Sequence, residues 1–521
     1  MLHSRRIKMK QKITAFILAA LMLAGTFISC GESENNTPET SAEAQTPETA
    51  ADSTDAEETE ETAAPTAAEI RAQTPDDLPE LNFEGLTATI GARAKSWFEG
   101  EMYAEELNGE AVNDAVFERD LTVEKRLNVT INYELLEDTI GDGPIELNVK
   151  ADIDHYTLNA GYAFLTIGSG IQGNYYNLLG DYPEHLNLSQ PWWSQHYNEQ
   201  ARIGNASFFA VGDICFSLIK LSFVTFTNMQ MIENLNIENP FDLVRSGAWT
   251  IDKQIELASK AYSDKNGNGQ ADADDVYGMS IGGLIGLDPY WSAFNMSLIT
   301  RDENKNPVVS FDVDKLSAAI EKLDSIYKKA DFAYCPAVYG SDEEQDEIAA
   351  MLADDRMLFS ALRVMHTEQL RDMESDYALL PLPKWNEEQD KYYTFVHDNY
   401  SIVGIPVSVK NPSMASAVME AMAAESYRHV TPAYYDIVLN GKYIRDPNSA
   451  EMLDLAMEGI KLDFGWIYTL NLSQVTQGVF RDILYNNNAS AVASTLKAKE
   501  MVTAKSLERL IMLVEKAAKA R

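Results

Sequence analysis

Between residues 264 and 275 the chain places oxygen-bearing groups at the spacing of a twelve-residue cation loop. Asp264, Asn266, Asn268, Gln270, Asp272 and Asp275 fall at positions 1, 3, 5, 7, 9 and 12, with Gly269 at position 6 for the sharp turn. Carboxylate, carboxamide and peptide oxygens in that order suit Ca2+, a hard cation. Position 12 is Asp, shorter than the usual bidentate Glu, and Val276-Tyr277-Gly278 reads as a strand start where a sensor hand needs a second helix. The spacing therefore predicts a structural calcium clip. A solvated Asx/Gly turn that holds no ion is the alternative reading of the same residues.

A helix must deliver this loop, and its signals precede it. Thr250 is placed to cap a helix whose apolar face is Ile251, Ile255, Leu257 and Ala258, with Trp249 just outside. No enzyme signature accompanies these elements: Gly-x-Ser-x-Gly, His-Glu-x-x-His and Gly-x-x-x-x-Gly-Lys-Ser/Thr are all absent, and the 7 histidines are scattered.

The ends of the chain have other tasks. Arg5, Arg6, Lys8, Lys10 and Lys12 precede an uncharged apolar run from Ile13 to Ile28, the layout of an export signal over residues 1–30. That run is short for a membrane span of about 20 residues, so cleavage is expected. Residues 31–80 carry fifteen acidic side chains against Arg71 alone and almost no large apolar residue, which predicts a disordered, extended linker. The net charge of −38 disfavours nucleic acid and anionic membrane surfaces as partners. Cys215 and Cys335 have no metal-ligand spacing and are expected as buried thiols. The helix expected from Ala493 to Lys519 packs Leu496, Met501, Leu507, Leu510, Ile511 and Val514 against the body.

Residues 81–521 are too many for one core and suit two lobes. Leu86–Ile90 reads as a strand, Asn113–Arg126 as an amphipathic helix and Val129–Tyr133 as a strand, the βαβ order of a mostly parallel sheet. Further strands are expected near Tyr156–Thr166, at Phe208–Val211 and at Val224–Thr227. Ligands of such sheets sit beyond the strands' carboxyl ends, which draws attention to Ser96, Trp97, Phe98 and Glu99. Of the adjacent Trp192 and Trp193, one is expected in the core and one toward a cleft.

Phe27-Ile28-Ser29-Cys30 resembles the lipobox of bacterial lipoproteins, which implies lipidation at Cys30 and a membrane anchor. Several later stretches resemble, in order, the extracellular solute-binding proteins of ABC importers, in the sugar-binding group that includes maltose-binding protein. They are Ala210–Asp213, Val224–Asn228, Trp249–Lys253, Met351–Met357, Tyr377–Pro383 and Ser401–Pro406. The resemblance implies a type II binding-protein fold of two α/β lobes joined by a multi-strand hinge. Lobe 1 would be residues 81–204 with 376–430, and lobe 2 residues 205–375 with 431–521. It also implies a monomer held outside the cytoplasmic membrane, closing on its solute and presenting it to permease subunits.

Ligand residues follow only where positions match. Trp466 is similar to the family's late sugar-stacking aromatic, and Asp213 to its hinge carboxylate. Phe226 stands where Tyr is usual, and Arg363, in Phe359–Arg363, where many members have Gly-Pro-Trp, a departure from a maltodextrin site. Aromatic faces and carboxylates are what a sugar's C–H faces and hydroxyls need, so Trp97, Trp193, Trp291 and Asp398 complete the candidate set. Each of these aromatics is equally at home in a core, and each acid in an ion pair. The rival functions are a surface-anchored glycoside hydrolase with two distant carboxylates, and a passive glycan adhesin or sensor.

Overall fold

The computed structural model describes residues 67–521 apart from 95–97, 99, 138–141, 283–284, 328, 337–341, 441–446, 486–490 and 520–521. The export signal, Cys30 and Trp97 lie outside the described residues.

Eleven strands are formed among the described residues. β1 (Leu86–Arg93), β2 (Val129–Leu136) and β3 (Leu158–Tyr162) come first, followed by β4 (Phe223–Asn228) and β5 (Tyr277–Ser280). A hairpin of β6 (Ile299–Arg301) and β7 (Pro307–Val309) precedes β8 (Ala333–Tyr334), β9 (Met357–Arg363), β10 (Tyr377–Leu380) and β11 (Ser401–Gly404). They build one four-stranded sheet in the order β11-β3-β1-β2 and one five-stranded sheet in the order β10-β4-β9-β5-β8, each the centre of a lobe.

Both sheets are mostly parallel in strand direction, as expected, with one reversed strand in each, β11 in the first and β4 in the second. β1 runs parallel to β2 and β3, and β5 parallel to β8 and β9, as right-handed βα crossovers require. β4 and β11, which the chain enters on crossing between the sheets, run against the other strands of their sheets, and β10, entered from β9, is antiparallel only to its one neighbour, β4. The lobe boundary moves. Tyr377–Leu380 was expected in lobe 1, yet it pairs with β4 in the second sheet, and the chain rejoins the first sheet only at β11. Phe208–Val211 is no ladder strand; Ala210 makes a single bridge to Val403 at the crossing.

The elements form where the sequence signals put them. Thr250 accepts the Lys253 amide at 3.3 Å and starts the helix Ile251–Ala258. Gly278 lets β5 lie directly on that helix, since a Cβ there would stand 1.9 Å from the Ala258 carbonyl oxygen. The closing helix runs from Val492 to Ala518 with Leu496, Leu507, Leu510 and Val514 buried, whereas Met501, expected on that face, is exposed.

Residues 67–80, expected to belong to the disordered linker, are seated on the first lobe. Ala67–Gln73 is a helix. Arg71 lies over the Tyr427 ring at 4.6 Å and 3.8 Å from Asp213. Asp76 accepts from Arg126 at 2.6 and 2.7 Å and from Arg428 at 2.9 Å, while Asp77 accepts from Asn187 and Gln190. Burial alone would raise the Asp76 carboxyl, but the two arginines bring it down to about 2. Specific ion pairs, together with Leu78 packed against the core of the first lobe, thus order a segment whose composition reads as disordered.

Candidate functional site

The carboxyl end of β3 delivers Ala163 and Phe164 to a recess where the two lobes meet. β11 is antiparallel to β3, so its amino end brings Tyr400 to the same place, and the Ala163 amide donates to the Tyr400 carbonyl at 3.0 Å. Phe395 and Asp398 continue that wall, and Lys461, Asp463 and Trp466 face it from the second lobe.

Trp466 rides on a one-turn helix, Phe464–Ile467, and Asp463 makes that turn possible. One Asp463 oxygen accepts the amides of Gly465 at 2.9 Å and Trp466 at 3.3 Å; the other accepts the Ser297 hydroxyl at 2.7 Å. The acid is therefore committed to the fold. The Trp466 ring meets the edge of Phe395 at 5.0 Å and lies 5.5 Å from the Arg481 guanidinium, which is itself held by Asp288. Its indole Nε1 is buried and donates to no described protein group.

Asp398 accepts one bond, from the Gln477 carboxamide at 2.9 Å. Burial pushes its carboxyl up to about 6, against the pull of Arg481. Lys461 donates to the Asn295 side chain at 2.7 Å and to the Met296 carbonyl at 3.2 Å, and burial brings its ammonium down to about 8. The recess thus offers aromatic faces, an unused N–H, a carboxyl able to donate or accept near neutral pH, and an ammonium. It is nearly closed, with about 20 Å³ of free space, room for one water.

A second recess lies where the chain leaves the first lobe, between Trp192, Trp193, Asp213, Leu218 and Ile460, with about 140 Å³ free. Here the polar groups are engaged. The indole N–H groups of Trp192 and Trp193 donate to Glu420 at 3.2 and 3.0 Å. Asp213 accepts the Thr431 hydroxyl at 2.5 Å and faces Arg71. Gly212 allows the close approach, since a Cβ there would meet the Trp192 carbonyl oxygen at 2.0 Å.

Of the residues named from sequence, the structure brings Trp466 and Asp398 together and places Trp193 and Asp213 in the second recess. Phe226, Trp291 and Arg363 line neither. Phe226 is fully buried in β4 against Tyr377, Trp291 is fully buried in the main core, and Arg363 is 1% exposed at the end of β9. Core and cleft aromatics share the same sequence signal, which is why these assignments fail. Phe164, Phe395, Tyr400 and Lys461 were missed. The end-of-strand rule applied to Ile90 would have found Phe164 had it been applied to β3 as well. Cys215 is buried and Cys335 half-buried, both as free thiols.

The loop at 264–275 is laced by its own hydrogen bonds. Asp264 accepts the amides of Gly267 at 2.7 Å and Gly269 at 2.9 Å. Asp272 accepts from the carboxamides of Asn266 and Asn268, and Asp275 accepts the amides of Lys265 at 3.0 Å and Asp272 at 3.3 Å. Among the described residues no group of three or more His, Cys, Asp and Glu gathers to hold a metal ion.

No family model and no curated protein matches the chain. Solved structures do. UspC of M. tuberculosis is 10% identical, with 81% of this chain and 100% of that one covered and a TM-score of 0.51. A cyclo/maltodextrin-binding protein complexed with maltotetraose is also 10% identical, with 84% and 98% covered and a TM-score of 0.50. At these identities the likeness is one of architecture: this chain has the two-lobed fold of the substrate-binding proteins.

Proposed function

We propose that this chain is a solute-binding protein that captures a mono- or oligosaccharide between its lobes and hands it, unaltered, to an ABC importer outside the cytoplasmic membrane. One observation carries the reading: Trp466, whose buried indole N–H has no described partner, lines a recess together with Asp398 at the junction of the two lobes. A sugar needs that pairing of an apolar plane with directed polar groups. The fold it shares with a protein complexed with maltotetraose supports the same class of ligand. Because the recess holds only about one water, a sugar must enter an open form, and the lobes then close on it by hinge motion.

The remaining parts of the reading rest on sequence. Cys30 carries a lipid that tethers the monomeric chain, and mass spectrometry of the mature amino terminus tests this. The 264–275 loop is a structural Ca2+ clip whose donors are Asp264, Asn266, Asn268, the Gln270 carbonyl, Asp272 and Asp275. The cation would turn the Asn266 and Asn268 carboxamides away from Asp272.

A thermal-shift screen of mono- and oligosaccharides, with product analysis of every hit, tests the function. Capture gives a saturable rise in melting temperature and no product. Turnover of a hit would replace it with the hydrolase reading.

A further inference from the structure

A third cavity, of about 620 Å³, lies between the end of the helix Gln195–Ala201 and the β6–β7 hairpin. Arg301 joins its two walls. Its guanidinium donates to the last carbonyls of that helix, Glu199 at 2.9 Å and Gln200 at 2.7 Å, and to the Lys305 carbonyl on the hairpin at 3.1 Å. The cavity is therefore a braced feature and not a chance gap between loops.

Its charge is unusual for this chain. Acidic residues outnumber basic ones 80 to 42, yet Arg202, Arg301 and Lys305 all line this one cavity. No described carboxylate forms an ion pair with any of them; Arg202 donates only to the Gly204 carbonyl at 2.8 Å and the Asn205 side chain at 3.1 Å. The neighbouring acid of the hairpin, Asp302, already accepts the amides of Asn304 and Asn306. Glu199 is the single acid in the lining, and Asn198 and Asn304 add carboxamides.

We infer that this cavity is a second binding site, for a saccharide bearing an anionic group. Arg202 and Lys305 take the carboxylate or sulfate, with Arg202 free to offer paired N–H donors. Glu199 and the carboxamides take hydroxyls, which a bare inorganic anion would not supply. The volume falls within the range of small-ligand sites. The inference is independent of the Trp466 recess, which presents none of these residues.

The test is calorimetric titration of the full chain with trigalacturonate, a sulfated disaccharide and neutral maltotriose, at low salt and at 0.3 M NaCl. Saturable binding of at least one anionic sugar is expected, weakened several-fold by salt. The variant carrying Arg202→Gln and Lys305→Gln, both at exposed positions, should lose at least tenfold in affinity for it. Trp466→Ala should retain it, which separates this site from the recess. Absence of binding by both anionic sugars, or binding unchanged in the double variant, overturns the inference. The preferred anionic sugar identifies the carboxylate or the sulfate as the group recognised.

Discussion

Two recesses of this protein each pair tryptophan with a buried acid, and they differ in how much hydrogen-bonding capacity is left. At Trp193 the indoles are bound to Glu420, and Asp213 is bound to Thr431 and faces Arg71. At Trp466 the indole N–H has no described partner, while Asp398, like Asp213, accepts one hydrogen bond, from Gln477, and has one ion-pair neighbour, His397 at 3.7 Å. A satisfied polar network is a device of stability, because breaking it leaves a buried group unpaired. An unsatisfied one is a cost that a ligand can remove. The contrast between the indoles sets Trp193 in the architecture and supports the binding role proposed for Trp466.

Breaking the Trp193 recess should have the largest effect. Trp193→Ala removes a large buried side chain and deprives Glu420 of a donor, so a loss of about 3–5 kcal/mol in unfolding free energy is expected from denaturant titration. Ligand affinity in the fraction that remains folded should stay within about twofold. A large affinity loss with intact stability would reverse the roles of the two tryptophans.

Glu420 sharpens the same point through pH. Burial pushes its carboxyl up to about 7, so the folded chain binds this proton more tightly than the unfolded chain does. Its stability penalty is absent below about pH 4.5, grows as pH rises, and is complete above about pH 7, reaching roughly 3 kcal/mol. Glu420→Gln should therefore gain on the parent between pH 5 and pH 8 in melting experiments; parallel curves would show that the acid is not held neutral.

At the other recess Trp466→Ala should weaken sugar binding by about 2 kcal/mol, roughly thirtyfold, with the circular dichroism spectrum kept. Unchanged affinity would remove the residue from the site. The smallest effect is expected at the calcium loop, remote from both. Chelator should lower the melting temperature by a few degrees, and Asp264→Ala should abolish that response. A chelator-insensitive parent would leave the loop to its own hydrogen bonds.

The pattern of residues carried much of the fold. Alternation and capping placed β1, β2, β4 and the helices at 111–127 and 251–258 to within a few residues. Strand direction was less legible for β4 and β11, which owe theirs to where the chain crosses between lobes, a property of the whole path. The site was legible at its edges only. Trp466 and Asp398 stood out, but Phe226 and Trp291 looked no different in sequence and are core. Phe164 and Tyr400 meet only because β11 runs antiparallel to β3. The order in residues 67–80 depends on Arg126 and Arg428, far away in sequence, which no local composition can reveal.

That seated segment has a mechanical consequence. Arg71, Asp76 and Asp77 fasten the incoming chain to the lobe of β1–β3 and to none of the strands of the other sheet. A tug transmitted through Ala67 therefore grips one half of the molecule as a fixed mount. In the closure proposed above, the other half is then the moving jaw.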